Sequence, residues 1–445
     1  MAGICGACTP PIGQVGSSLM FAEALEAVQF SPSKRIAYVR FVLAALAVMV
    51  LFKTLRFGRW GVFQIRELSD FDAFYIAAQQ VWRGQVELVY RFETLMQFQA
   101  EAAHGATGFM PWTYPPQFDL LVAPLALLPI GIAYLVFIVA TLATYLLMLR
   151  AIAGANFAHV LVALFPALAI TIGGGQNGFL TGTLIGLVCL NVERRQLVAG
   201  LALGAMVIKP HLAIAVGVYM LATRRWVALA TAATVVLASS MVCTLVFGWQ
   251  IWTAWLGAIG ESARFLDQGI YPLLRMISTY AALSRAGVPP TLAFWTQAAV
   301  ASLALCAVVL AVWLGAARKM SPRFALGITA MVSVMISPYA YDYDLPMIGI
   351  GLALLLPDLA LLASARERGV IYGLILLAGA YGMLQSARLA AQFGEEQAYL
   401  AGLTDRFAPA LGGFAMMALL AVLLRLLWRG MQSASVLPRA AQAAE

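Results

Sequence analysis

A succession of apolar runs divides this sequence, and the stretches between them carry nearly all of its charge. The runs fall at 37–53, 131–149, 158–173, 178–192, 197–222, 227–247, 291–315, 324–336, 345–362, 370–387 and 409–428. A helix needs about 20 apolar residues to cross the hydrocarbon core of a bilayer, or about 17 at the short limit. Several runs fall short, which points to broken or tilted helices lining protein rather than lipid. Composition agrees. Hydrophobic residues make up 62% of the chain and charged residues 11%, against about 45–50% and about 25% in a soluble domain. So few charges cannot coat a water-facing surface. The expected fold class is an all-α polytopic membrane protein with about ten to thirteen crossings.

The net charge of +8 does not imply nucleic acid as a partner, because the basic residues form no patch. They fall in ones and twos between apolar runs, as topology signals do. With Lys34 and Arg35 in the cytoplasm, Arg150, Arg194 with Arg195, Arg318 with Lys319 and Arg323, Arg366 with Arg368, and Arg429 all thread to the same side. The segment 197–222 lies between Arg194/Arg195 and Arg224/Arg225, both of which want the cytoplasm. Two arms of about 11–12 residues rise about 17 Å each, too little to cross a core of about 30 Å twice. A helix pair broken at Lys209-Pro210, its tip buried in protein, satisfies both constraints.

This threading gives a cytoplasmic extension at 1–36, one transmembrane domain at 37–429 and a cytoplasmic tail at 430–445, in the cell (inner) membrane. Residues 1–30 show no signal-peptide cleavage pattern. Outside lie 54–130, a long first loop, then 174–177, 248–290, 337–344 and 388–408. Within the first loop, Phe71, Phe74, Tyr75, Ala78 and Trp82 share one side of a helix over 70–83, as in a helix lying on the membrane surface. The stretch 117–128, with Pro124 and Pro129 around its end, is too short to cross and lies in the interface or dips in and returns. No internal repeat is evident. Five cysteines are too few and scattered for a disulfide framework. Cys189, Cys243 and Cys306 sit in apolar runs, and Cys5-x-x-Cys8 has no second pair.

The unusual polar residues all fall on the outer side. They are Asp70 and Asp72, Tyr114-Pro115-Pro116, Gly174-Gly175-Gln176-Asn177, Lys209 and His211 around Pro210, and Ser337 through Asp344. A buried polar group in a membrane protein is costly unless paired, so such a cluster suggests a site. Each member also has a structural explanation. Asp70 can cap a helix, Gln176 and Asn177 can satisfy a tight turn, Lys209 can snorkel, and the Tyr/Asp run can be a wet aromatic turn. The glycines at 173–175 lack the lysine and helix start of a phosphate loop. His104, His159 and His211 are too far apart to propose a metal site, whereas Asp70-x-Asp72 has the spacing of a metal-binding diad.

The run from Asp70 to Ala78 with Gly84 and Tyr90 resembles the first-loop signature of glycosyltransferase family 87. So do Tyr114-Pro115-Pro116, Gly175-Gln176-Asn177, Lys209-Pro210 followed by Arg224-Arg225-Trp226, and Ser337-Pro338 with Tyr341 to Asp344. The motifs keep the family order across about residues 65–345. The resemblance implies a GT-C-like helical bundle that moves a sugar, mannose in the family's polyprenol-phosphate-mannose-dependent members, from a polyprenyl-phosphate donor to a lipid or glycan acceptor outside the cytoplasm. It implies inversion at the anomeric carbon and no cofactor or metal, with Asp70 and Asp72 as the residues to recruit a divalent ion if one were used. Under this reading Asp70 is the general base. Lys209, His211 and Arg275 bind the donor phosphate, and Asp72, Tyr75, Tyr114, Gln176, Asn177, Tyr341, Asp342 and Asp344 line the sugar or acceptor pocket. One departure bears on the acceptor: some family members carry histidines after the Ser-Pro pair, where this chain has Asp342 and Asp344. A transporter or flippase of lipid-linked sugars would also use broken helices and intramembrane polar groups, and a membrane subunit without chemistry is a third reading.

Overall fold

The computed structural model describes residues 21–57, 68–102, 108–393 and 409–432. Cys5, Cys8, His104 and the terminal tail beyond 432 lie outside them. Every apolar run coincides with helix, and the described residues form no sheet, only an isolated bridge between Met276 and Tyr341. Six helices are long and apolar enough to cross a membrane: Pro32–Phe57, Ile130–Ala163, Trp226–Phe247, Pro290–Ala316, Ala365–Phe393 and Leu411–Gln432. Shorter apolar helices fill the space between them. The chain is an all-α polytopic membrane protein.

The centre of the bundle is the helix Pro346–Leu362, whose residues Pro346 to Leu356 are all buried. A helix apolar on every side is one wrapped by protein. Small residues let its neighbours approach closely: a Cβ on Gly327 would lie 3.2 Å from the Gly351 carbonyl oxygen, and Tyr145 donates to the Pro346 carbonyl at 2.8 Å. Close backbone approach is how helices associate where lipid removes the hydrophobic drive between them.

The 197–222 segment is broken as the charge pattern requires. The helix Gln196–Ala205 tightens to a 3-10 turn at Met206–Ile208, Lys209 leaves helical geometry at φ −143, ψ 71, and a second 3-10 turn at Pro210–Ala213 leads into the helix Ile214–Ala222. Proline has no N–H and its ring clashes with a preceding helical turn, so the break falls where Pro210 stands. Gly200 and Gly204 seat the first arm on Trp226–Phe247, since a Cβ at either would come within 2.5 Å of that helix.

The first-loop helix, Asp70–Trp82, departs from expectation. Phe71, Ala73, Phe74, Ile76, Ala77, Ala78 and Gln80 are buried, so burial runs nearly all the way round instead of along one stripe. Its cover is protein: the turns Pro116–Val122 and Ala123–Leu127 lie against it, and Trp82 donates its indole N–H to the Ala123 carbonyl at 2.8 Å. The 117–128 stretch, too short to cross, is the partner of this helix.

Candidate functional site

The loops assigned to the outer side converge on one cavity of about 310 Å³. Asp70, Tyr114, Gln176, Lys209, His211, Arg275, Tyr341, Tyr343 and Asp344 all line it. Residues from six separate stretches of chain therefore meet at one end of the bundle.

Asp70 is the first residue of its helix and not the cap, which is Ser69. Its carboxylate turns into the cavity, where Oδ2 is buried with no hydrogen-bond partner and lies 4.0 Å from Nη1 of Arg275. Its placement depends on the glycine turn opposite. Gly175 adopts φ +69 to close the helix Phe165–Gly174, a left-handed conformation natural to glycine. A Cβ there would also lie 2.6 Å from Cβ of Phe71. Only glycine permits this approach, which brings Gln176 beside Asp70. The Tyr114 hydroxyl donates to Oε1 of Gln176 at 3.2 Å.

Two cations line the same cavity. Lys209, 6% exposed, donates from Nζ to Oδ1 of Asp344 at 2.7 Å and lies 4.7 Å from the centroid of the Tyr343 ring. A lysine this deep cannot snorkel to water. Arg275 donates from Nε and Nη2 to the two carboxylate oxygens of Asp342 at 3.3 and 3.1 Å. Burial opposes its charge, but Asp342 and Asp70 outweigh burial and hold the guanidinium above its ordinary value. Burial likewise pushes Asp342 above the usual carboxylate range, with Arg275 offsetting part of the effect.

Four residues expected in the pocket do not line it. Asp72 is buried, and its Oδ2 accepts from the backbone N–H of Ser69 at 2.8 Å and from the Ser69 hydroxyl at 3.1 Å, closing a capping box. Two residues along a helix turn a side chain to another face, so Asp70 and Asp72 do not act as a chelating diad. Tyr75 donates to the Leu128 carbonyl at 2.8 Å, which fixes its ring to the loop behind the helix. Asn177 is fully buried at the start of the helix Gly178–Asn191, behind Gln176. Asp342 is fully buried on the far side of Arg275. Among the described residues no three His, Cys, Asp or Glu side chains form a metal-binding group.

The cavity also has an aromatic wall that the sequence reading did not assemble: Trp112, Trp255, Phe109, Tyr271 and Tyr339. Behind it, the fully buried Asp119 accepts from the Tyr90 hydroxyl at 2.7 Å and from the Trp112 indole at 3.0 Å. The signal for Asp119 was visible, since an ionisable residue inside an apolar stretch marks a site or its support. Trp255 carried none, as its place depends on how the helix Gln250–Asp267 folds over the cavity.

The fold and the cavity define a multi-pass helical membrane protein with a lined cavity that holds the Asp70 carboxylate, Arg275 at 4.0 Å from it and the buried Lys209. Its sequence matches the family model for Glycosyltransferase family 87 over residues 112–338, just over half of the chain. The chain belongs to glycosyltransferase family 87 and is a membrane glycosyltransferase. The match takes in Tyr114, Gln176, Lys209 and Arg275, while Asp70 and the 342–344 turn lie outside it. Comparison with curated proteins and with solved structures gives no match.

Proposed function

We propose that the protein transfers a sugar, mannose by resemblance, from a polyprenyl-phosphate donor to a hydroxyl of a lipid or glycan acceptor, on the extracytoplasmic side of the cell (inner) membrane. The observation that carries this reading is the meeting of Asp70, Arg275 and Lys209 in one cavity. The acceptor oxygen attacks the anomeric carbon from the face opposite the phosphate, giving inversion. The bond from that carbon to the phosphate oxygen breaks, and its electron pair leaves on the lipid phosphate. Asp70 takes the acceptor proton as general base. The donor is a phosphodiester and the leaving group a phosphomonoester, so the negative charge on phosphate grows as the Asp70 carboxylate is neutralised.

Preorganised cations act most strongly where charge develops in a site shielded from water. Lys209 and Arg275 would meet the phosphate, with His211 beside them. Tyr114, Gln176 and Tyr341 would contact the sugars. A lipid phosphate is already a good leaving group, so no general acid is required, and the reading includes no metal or other cofactor. The test is transfer by the purified full chain in detergent, given labelled polyprenyl-phosphate sugars and lipid extracts. Product formation is the expected result. Movement of lipid-linked sugar across vesicles without any transfer would overturn the reading in favour of a flippase.

A further inference from the structure

Asp342 and Asp344 belong to one 3-10 turn, Asp342–Asp344, and each holds one of the two cations. Both carboxylates are already engaged. Asp342 gives both oxygens to Arg275, whereas Asp344 gives Oδ1 to Lys209 and accepts the Tyr341 backbone N–H on Oδ2 at 3.2 Å. The Tyr343 ring stands between them, 4.7 Å from Nζ of Lys209 and 5.9 Å from the guanidinium carbon of Arg275, and stacks on Tyr341 at 5.1 Å.

The turn is itself held on two sides. The Met276–Tyr341 bridge and the 2.9 Å bond from the Ile277 N–H to the Ala340 carbonyl tie it to the loop that carries Arg275. On the other side the Tyr343 carbonyl packs so closely on Gly178 that a Cβ there would sit 1.9 Å from its oxygen. Gly382 leaves similar room for Asp342, whose Oδ2 a Cβ would meet at 2.5 Å.

The geometry points to Asp342 and Asp344 as positioning residues: one rigid turn sets the spacing of Lys209 and Arg275 and keeps both charged for a phosphate. This rests on the reading of those cations as phosphate ligands. The two carboxylates then differ in a way that can be measured. Without Asp344, a lysine as buried as Lys209 loses its proton more readily, because burial disfavours the charged form. Without Asp342, Arg275 stays charged at any working pH.

The other groups facing Lys209 are His211, the Tyr114 and Tyr343 phenols, and Asp70 and Arg275 across the cavity. Arg275 stays charged between pH 7.5 and 9.5. In that range an imidazole is neutral, and burial keeps both phenols protonated.

The experiment is binding of a polyprenyl monophosphate, the product common to all such donors, to the purified full chain between pH 7.5 and 9.5. The phosphate is already doubly ionised in this range, so wild-type affinity should be flat. Asp344→Asn should bind progressively more weakly as pH rises, by about tenfold or more across the range, because burial disfavours an ammonium that has lost its counter-ion. Asp342→Asn should be weaker but flat. The double variant Lys209→Met/Asp344→Asn should bind at least as well as Lys209→Met, since Lys209→Met alone leaves the buried Asp344 carboxylate unpaired beside the phosphate. The double variant leaves neither charge unpaired, so this comparison decides even if Asp344→Asn fails to fold. A flat Asp344→Asn profile, or a double variant well below Lys209→Met, would make Asp344 a direct ligand and overturn the inference. Absence of wild-type binding would overturn the functional reading itself, and the inference with it.

Discussion

Replacing Asp70 with asparagine removes one charge and keeps the shape, so its consequences separate cleanly into rate and stability. For stability the losses are small. Asp70 is not the cap, so the carboxylate contributes only through the helix N-terminus, about 0.3–1 kcal/mol, and through Arg275. That pair is 4.0 Å apart with both side chains about a quarter exposed, which limits it to about 1 kcal/mol. For rate the loss is large. A positioned general base supplies about 10²–10⁴-fold, or about 2.7–5.5 kcal/mol of barrier.

Asp72→Asn should do the reverse. It weakens charge-assisted bonds from Ser69 that are buried and worth about 1.5–3 kcal/mol, yet it touches nothing in the cavity. The assay is turnover at saturating donor, with thermal unfolding measured in the same detergent. Asp70→Asn should be nearly inactive with intact donor binding and little change in unfolding. Asp72→Asn should unfold earlier and retain most of its turnover. An active Asp70→Asn beside an inactive, stable Asp72→Asn would move the base to the other carboxylate. Normal transfer by both would refute the mechanism.

Three further outcomes are expected. Lys209→Met should raise the donor KM at least tenfold while kcat falls less, because its charge binds a phosphate present in the ground state as well; unchanged donor affinity would make Lys209 structural. Gly178→Ala should destabilise the protein by about 1–3 kcal/mol through overpacking and lower activity by displacing the Tyr343 carbonyl, readable as unfolding temperature against turnover. For sidedness, single cysteines at the exposed positions 194 and 318 should label only from the cytoplasm and one at 268 only from outside; labelling of 194 and 268 from one face would overturn the threading.

The helices were legible because bilayer thickness sets a length that hydropathy reports directly. Even the break at Lys209 could be read, since Arg194/Arg195 and Arg224/Arg225 leave too few residues between them for two crossings. The grouping of Asp70, Tyr114, Gln176, Lys209 and Asp344 followed from placing their loops on one side. The roles within the group did not follow. Asp72 and Asp70 are alike in sequence, and only helix phase sends one to Ser69 and the other to the cavity. Asp342 looked like a pocket residue because proximity to a cavity and a place on its wall read alike from sequence, and the structure buries it behind Arg275. The burial of the Asp70–Trp82 helix was hidden for another reason: its cover comes from the 117–128 stretch, and an apolar stripe does not reveal whether lipid or protein faces it.

The pairing of Lys209 with Asp344 has a consequence for how the protein is made. The two residues are 135 positions apart, so at about 5–20 residues per second of synthesis the lysine precedes its carboxylate by about 7–27 seconds. Through that interval the hairpin of 196–222 has a cation at its tip without its carboxylate, and for much of it the helices Pro290–Ala316 and Pro322–Val332, which pack on the second arm, have yet to emerge. Lys209 and the second arm should therefore stay unseated until the second half of the chain arrives. Completion of the cavity should thus be a late event in biogenesis, and chains truncated before residue 344 should carry an open, protease-accessible hairpin where the complete protein carries a closed one.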